Sequence, residues 1–517
     1  MSWSGHGDAD VIVVGSGIGG LVAAGLLARY GRRVIVCESH SVAGGAAHEF
    51  SRQGFRFDSG PSFYCGLGDP NSLNPVRLVL AALGETLEAI PYDPLGYYHL
   101  PEGTLPIYGN GKKYRDAIAQ FSPQGAQELA QLERRFLKLY EGLRGIPLLG
   151  LRADWKLVPW LISRHSGALL QLLKQVPLLQ TSAGQVMDQY VQDPFVRRLF
   201  DLECFLLSGL KAHGTVAPEM AFMFGERHNS VVDYPVGGSG AMVEALVRGL
   251  QRWGGELRFN AHVEQIVVEQ GRVQGVRLRR GELLRAPVVI SNATLWDTLT
   301  HLLKPQDVPA TYRQKVLQAP AVDSFMHLHL GIRAEGLDDL AIHHVVLHSG
   351  ERDVTEPGNT CMISIPSVLD SSLAPPGHHV VHAYTLEPWE NWQRDGDYAA
   401  RKRERAEPLY RALERVIPDV RSRIALELIG TPLTHERYLR RYRGTYGPAI
   451  AAGQGVFPGC GTPIAGLYQV GDSTRPGIGV PAVAASGILC ANSLVSPAQV
   501  SALLRDFNPS PETTTAR

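Results

Sequence analysis

The chain's 517 residues, 44% hydrophobic and 19% charged, supply core for two or three domains and exclude a disordered or fibrous protein. With 50 Lys+Arg against 50 Asp+Glu the formal net charge is +0, so no global field draws polyanions and nucleic acid is not an expected partner. Six scattered cysteines with no Cys-x-x-Cys pair suit a reducing compartment and argue against a disulfide framework or zinc site, and no apolar run of about 18 residues predicts a transmembrane helix.

The polar start MSWSGHGDAD is too short for a targeting peptide and reads as a tail. VIVV (11–14) then predicts a strand buried on both faces, and GGLVAAGLLARY (19–30) a small-residue helix. Between them Gly15, Gly17 and Gly20, with Gly19 beside them, satisfy G-x-G-x-x-G in its strand–turn–helix context. Gly15 makes the turn, Gly17 lets backbone approach a pyrophosphate, and Gly20 packs helix on strand. The helix N-terminus would hold the anion. A second strand, RVIVC (33–37), ends at Glu38, whose carboxylate can accept both ribose hydroxyls and would repel a 2′-phosphate, which favours FAD or NAD over NADP.

Further along, residues 145–180 (GIPLLGLRADWKLVPWLISRHSGALLQLLKQVPLLQ) combine many leucines with Trp155 and Trp160, and Arg152, Lys156, Arg164 and Lys174 against Asp154 alone. That composition suits either a core helix pair broken at Pro159 and Pro177 or an interfacial segment at a membrane surface. A glycine-rich turn (YPVGGSG, 234–240), a helix, a strand, a hairpin and PVVISNA (287–293) follow. His327 and His329 fall at i and i+2, on one strand face, and His343, His344, His348, His378, His379 and His382 lie beyond. No His-x-x-x-His helix or carboxylate partner completes a ligand set, so no metal is expected. Near the C-terminus GLYQVGDSTRPGIGVP (466–481) predicts a strand, a glycine-punctuated loop and an Ala-rich helix. Asp472, after Gly471, can bond hydroxyls of a ligand, while N–H groups around Gly479 and Val480 at the helix start would face negative charge. The polar stretch Asn508 to Thr515 reads as disordered.

Glu38-Ser39-His40 with GGAAHEF, RQGFRFDSGPS, YPVGGSGAMVEALVRG, SNATLWDTL, HAYTLEPWE and GTPLTHERYLRRYRGTYGP together resemble the flavin-dependent amine oxidase and phytoene desaturase superfamily. Within it they are most similar to carotenoid isomerases of the prolycopene type, with retinoid saturases and phytoene desaturases as relatives. The resemblance covers most of the chain. It implies an α/β fold: a Rossmann-like FAD-binding domain of the amine oxidase/phytoene desaturase type with an inserted α+β substrate domain. FAD would lie along Ser39, Gly44, Gly45 and Ala46, pass Gly60, Pro61 and Ser62 near its ring, and meet the Val263 backbone at the adenine.

The implied organisation is a discontinuous cofactor domain (1–95, 226–295 and 450–500), a substrate and membrane-contacting domain (96–225 and 296–449), and a tail from 501. The implied activity is FAD-dependent cis-to-trans isomerisation of a polyene drawn from a membrane, placing the protein in the cytoplasm and peripheral to the membrane. Desaturation, with a quinone as acceptor, and saturation stay open, because the Val480-Pro481 element is closer to desaturases. An amine oxidase or a non-catalytic flavoprotein are more distant readings. With no triad or nucleophile elbow in sight, the chemistry is assigned to the flavin. Tyr64 and Arg475 are the candidate substrate-facing side chains.

Overall fold

The computed structural model describes residues 7–507 apart from 174 and 180. Lys174 and the stretch 508–515 therefore lie outside the described residues. Two sheets organise the chain. The first is five-stranded and wholly parallel, in the order Leu467–Gln469, Val288–Ser291, Val11–Val14, Val34–Cys37, Glu256–Arg258. Its strands come from three stretches of chain separated by hundreds of residues. Consecutive apolar residues in VIVV serve opposite faces: Val11 and Val13 pack among helices Ile18–Arg29, Gly238–Arg252 and Val480–Ser493, whereas Ile12 and Val14 pack under the antiparallel strands Val263–Glu269, Arg272–Leu278 and Leu283–Arg285.

The second sheet has seven strands, in the order Ile424–Gly430, Ser324–Arg333, His378–Glu387, Thr360–Ser364, His343–Leu347, Gly96–Leu100, Gly103–Ile107. Period-two patterning again divides it: Met326, Leu328, Leu330 and Ile332 pack beneath helix Tyr398–Val416, and the alternate positions Phe325, His327 and His329 turn to the other side. A helical layer, including Pro123–Arg144, Pro194–Ser208 and Ala217–Asn229, builds a further core at the same sheet. There Gly225 is required for packing, since a Cβ at that position would stand 2.1 Å from the Tyr140 ring.

Two expectations change. A helix runs from Pro497 to Phe507 and buries Val500 and Leu503, so the chain past residue 501 is structured where a tail was expected. Helix Ala217–Asn229 crosses the boundary drawn at 225/226, because its Met220, Ala221 and Phe224 face the helical core. The stretch 145–180 forms three short helices, Leu157–Arg164, Ser166–Leu173 and Val176–Leu179. They leave Trp155 (75% exposed), Val158, Ile162, Leu170, Leu173 and Val176 open to solvent. Arg152 is not a surface cation: it is buried, paired with Asp154 at 2.7 Å and bonded to the Val495 carbonyl at 3.0 Å. No helix among the described residues is long and apolar enough to cross a membrane.

Candidate active site

A cavity of about 780 Å³ opens where the two sheets meet, within the usual range for a cofactor site. At the carboxyl ends of the parallel strands it is walled by Gly15, Gly17, Glu38, Ser39, Gly44, Gly45 and Ala46, then by Gly60, Pro61 and Val263, and from the far C-terminus by Gly471, Asp472, Gly479 and Val480. Glycine is needed for close approach here. A Cβ on Gly17 would meet the Asn292 side chain at 2.4 Å, and one on Gly45 (φ +57) would stand 3.1 Å from the Gly17 Cα.

The carboxylate of Glu38 is held in place by bonds within the protein. One oxygen accepts from the Ser16 N–H (2.9 Å) and the Ser16 hydroxyl (2.6 Å), and the other from the His40 N–H (2.7 Å). Strand end and glycine turn are thereby tied together.

Three helices begin at glycine-rich turns, and their N-termini differ in a way that tests the fit of a dinucleotide. At Gly237 to Ser239 the backbone N–H groups are satisfied by protein carboxylates: Asp370 accepts from Gly237 at 2.7 Å and Asp58 from Ser239 at 2.8 Å. The helices starting after Gly17 and Gly479 have no side-chain cap and no acid in their first turns, and both glycines line the cavity. A ligand with a central pyrophosphate and a ring that gains negative charge on reduction matches two open helix N-termini at opposite ends of one cavity. The donor set therefore fits FAD.

Other expected residues stand elsewhere. Gly19 and Gly20 sit behind the cavity wall as packing positions, where a Cβ would meet the Gly471 nitrogen at 2.9 Å and the Gly15 carbonyl at 2.5 Å respectively. Ser62 is turned into the second sheet, bonded to the Ser364 hydroxyl at 2.5 Å. Tyr64 is buried, donates to the Pro61 carbonyl at 2.9 Å, and does not line the cavity; burial pushes its phenol well above the usual range. Arg475 is exposed and outside the cavity, since the loop holds it there by its N–H bond to the Pro458 carbonyl at 2.9 Å. Asp472 does line the cavity, but its carboxylate is paired with Arg441.

Arg441 is a wall residue that motif reading missed, because it lies 31 positions before its partner in a stretch of several arginines. Also missed are Phe205, Leu206 and Leu207 at the end of a helix, and Phe325, Met362, Tyr384 and Tyr446, which wall the cavity with apolar and aromatic surface. Phe325 stands edge-on to Tyr446 at 5.0 Å and to Tyr384 at 5.7 Å. No described residue from 145–180 lines the cavity.

Behind that wall the histidines gather. His327, which lines the cavity, joins His329 and His382, each offering a ring nitrogen within 4.8 Å of the others. The arrangement is unlike a ligand tripod. His327 Nδ1 and His382 Nε2 bond directly to one another at 2.8 Å, with ring planes 12° apart. His329 lies over His382 at 4.3 Å and 5°, and His435 over His327 at 4.2 Å and 16°. An imidazole lone pair lies in its ring plane, so rings stacked in parallel do not aim at one ion. Burial lowers all four, His329 to about 4 and His435 to about 3, which makes them a neutral stack.

A parallel sheet with two open helix N-termini and a tethered ribose-side carboxylate defines an FAD-binding oxidoreductase fold. Residues 18–495 match the flavin containing amine oxidoreductase family, and the chain belongs to it. The chain is 36% identical to a chloroplastic prolycopene isomerase of Daucus carota and 35% to that of Arabidopsis thaliana, over 94% of this chain and 80% and 82% of theirs. It is 27% identical to a lycopene-forming phytoene desaturase of Pseudescherichia vulneris, over 94% of this chain and 99% of that one. In solved structures the fold resembles an oxidoreductase from Methanosarcina mazei (TM-score 0.63, 20% identity, 93% and 99% of the two chains) and a putrescine oxidase (TM-score 0.60, 16%, 96% and 99%). The enzyme's cofactor is FAD.

Proposed function

We propose that this enzyme isomerises cis double bonds of a carotenoid-like polyene. The observation that carries the reading is the 35–36% identity to prolycopene isomerases along 94% of the chain, against 27% to desaturases. The cavity supports it: past the glycine loops the wall turns to Phe205, Leu206, Leu207, Phe325 and Met362, a lining for a long hydrocarbon rather than for an ammonium group. Bound in reduced form, FAD would supply electron density to one end of a cis double bond, lowering its bond order so that rotation becomes easy. The chain's own part is to orient and to exclude water. Tyr384 and Tyr446 hold flat surfaces against the polyene, and the Arg441–Asp472 pair fixes the C-terminal loop against its neighbour.

The exposed Trp155, Val158, Ile162, Leu170, Leu173 and Val176, with Lys156 among them, support a peripheral seat on a membrane from which such a substrate would come. The test is anaerobic incubation of the reduced holoenzyme with poly-cis lycopene. Altered cis/trans ratio at unchanged mass supports the reading. Quinone-dependent loss of hydrogen would replace it with a desaturase, gain of hydrogen with a saturase, and flavin reduction by amines alone with an amine oxidase.

A further inference from the structure

The neutral histidine stack is continued by polar groups that cross the second sheet. His329, His382, Ser364 and His343 stand directly opposite one another on four consecutive strands, so their side chains share one face. Between His327 at the cavity wall and the far side, nearly every junction is a hydrogen bond. His327 Nδ1 meets His382 Nε2 at 2.8 Å, Ser364 Oγ meets His343 Nδ1 at 2.8 Å, and His343 Nε2 meets the Tyr92 hydroxyl at 3.0 Å. Tyr92 is half-buried, and the exposed Phe63 ring lies 5.4 Å from His343.

One junction is open, and it coincides with a void. His382 Nδ1 is buried without a partner, as is His327 Nε2 at the cavity end. A void of about 10 Å³ is bounded by His382, Ser62, Ser364 and Asp58. That is about the volume one water needs, and His382 Nδ1 with the two serine hydroxyls gives it the polar partners that hold buried water in place.

A pair of neutral imidazoles sharing one N–H···N bond necessarily presents an N–H at one end and a bare nitrogen at the other. Such a pair can pass a proton by exchanging those ends. An apolar wall needs no such polar ladder behind it, and burying these groups costs stability unless each is bonded.

We propose that His327, His382, one water in this void, Ser364, His343 and Tyr92 form a proton path between the flavin cavity and solvent. A proton accepted at His327 Nε2 is balanced by release of the Nδ1 proton to His382 Nε2. His382 gives its Nδ1 proton to the water, the water one to Ser364, Ser364 one to His343 Nδ1, and His343 its Nε2 proton to Tyr92 and solvent. The reverse sequence delivers a proton. One proton crosses, no electrons move, and the chain returns to its starting state once each tautomer and rotor turns back. His329 and His435, stacked on the pair, are positioning residues that keep the two rings coplanar. The path rests on the cavity being the flavin site, and not on which polyene reaction it serves.

Ser364 supplies an isosteric test. Ser364→Val removes the hydroxyl that passes the proton and holds the water, whereas Ser364→Thr has the same bulk and keeps the hydroxyl. With the holoenzyme, anaerobic stopped-flow mixing with reduced methyl viologen, which gives electrons and no protons, reduces FAD, which takes up protons from solvent, and a pH-indicator dye follows them. Proton uptake should slow at least tenfold in Ser364→Val and stay within twofold of the parent in Ser364→Thr, with the flavin absorbance of the oxidised proteins unchanged. A crystal structure of the FAD-free protein should show one water bonded to His382 Nδ1, lost in Ser364→Val.

Parent-like uptake in Ser364→Val, or equal slowing in both variants, overturns the path. If Ser364→Val does not fold, Tyr92→Phe makes the same cut at the outer end by deleting one hydroxyl, and unchanged uptake there overturns it equally. Absence of polyene isomerisation by the parent enzyme, with uptake slowed as expected, would sink the proposed function and leave the path standing.

Discussion

Replacing Glu38 by Gln should weaken FAD binding through a mismatch that can be counted atom by atom. The carboxylate now accepts at both oxygens, from Ser16 N–H at 2.9 Å and from His40 N–H at 2.7 Å. A carboxamide has one acceptor oxygen, so whichever way it turns, its NH2 faces one backbone donor. Leaving a buried donor unmatched costs about 1–3 kcal/mol. Where the glycine turn relaxes to escape that mismatch, the cofactor must restore it, and the cost appears in binding as about 5–150-fold in Kd. Where the turn stays in place, the cost appears in the stability of the FAD-free protein instead. Fluorescence titration of the apoprotein with FAD, paired with urea denaturation of the same apoprotein, reads both. A Kd within twofold of the parent together with an unchanged denaturation midpoint would refute the reasoning. Glu38→Arg, which places a cation where two backbone N–H groups converge, should abolish binding in the same titration.

Glu219 is held up near a pKa of about 7 by burial, so the folded state keeps a proton that the unfolded chain loses above its ordinary value of 4.5. Its contribution is complete below about pH 4.5 and fades as pH rises toward 7. Glu219→Gln should therefore be more stable than the parent by about 1–3 kcal/mol at pH 8 and equal to it near pH 4.5 in urea melts, and equal increments at both pH values would contradict this. Gly225→Ala should destabilise by about 1–3 kcal/mol or more, because its Cβ falls 2.1 Å from the Tyr140 ring; an unchanged denaturation midpoint would show that the two helices separate freely. The double change Trp155→Glu and Ile162→Glu should reduce co-sedimentation with anionic phospholipid vesicles at least tenfold, since withdrawing two large apolar side chains from the interface costs more than the 1.4 kcal/mol that tenfold represents. Vesicle binding at parent levels would remove the membrane seat from that surface.

What could be read from sequence was local or carried by close spacing. VIVVGSGIGG and Glu38 announced themselves because turn, helix start and carboxylate belong to one βαβ unit, and the 466–481 segment because a strand tip and helix start are neighbours in the chain. The i, i+2 spacing put His327 and His329 on one face, yet nothing in it told that His382 and His435 would join them, since pairing of distant strands and a later helix bring those two in. Arg475 misled because proximity in sequence to a cofactor loop says nothing about which way a side chain leaves it. The helix Pro497–Phe507 escaped because it is short and only Val500 and Leu503 are fully buried, a pattern that makes sense only against the core they complete.

The edge strand Leu467–Gln469 and the helix Val480–Ser493 that complete the cofactor cradle are synthesised after the other four strands of the parallel sheet. A nascent chain that already holds Val11–Val14, Val34–Cys37 and Val288–Ser291 still presents an unpaired strand edge and half a ligand site. Productive capture of FAD must therefore await synthesis of the helix Val480–Ser493, and the long interval with that edge uncovered is when this protein is most exposed to aggregation. In heterologous expression, yield of holoenzyme should respond more to slower synthesis and chaperone supply than to added flavin.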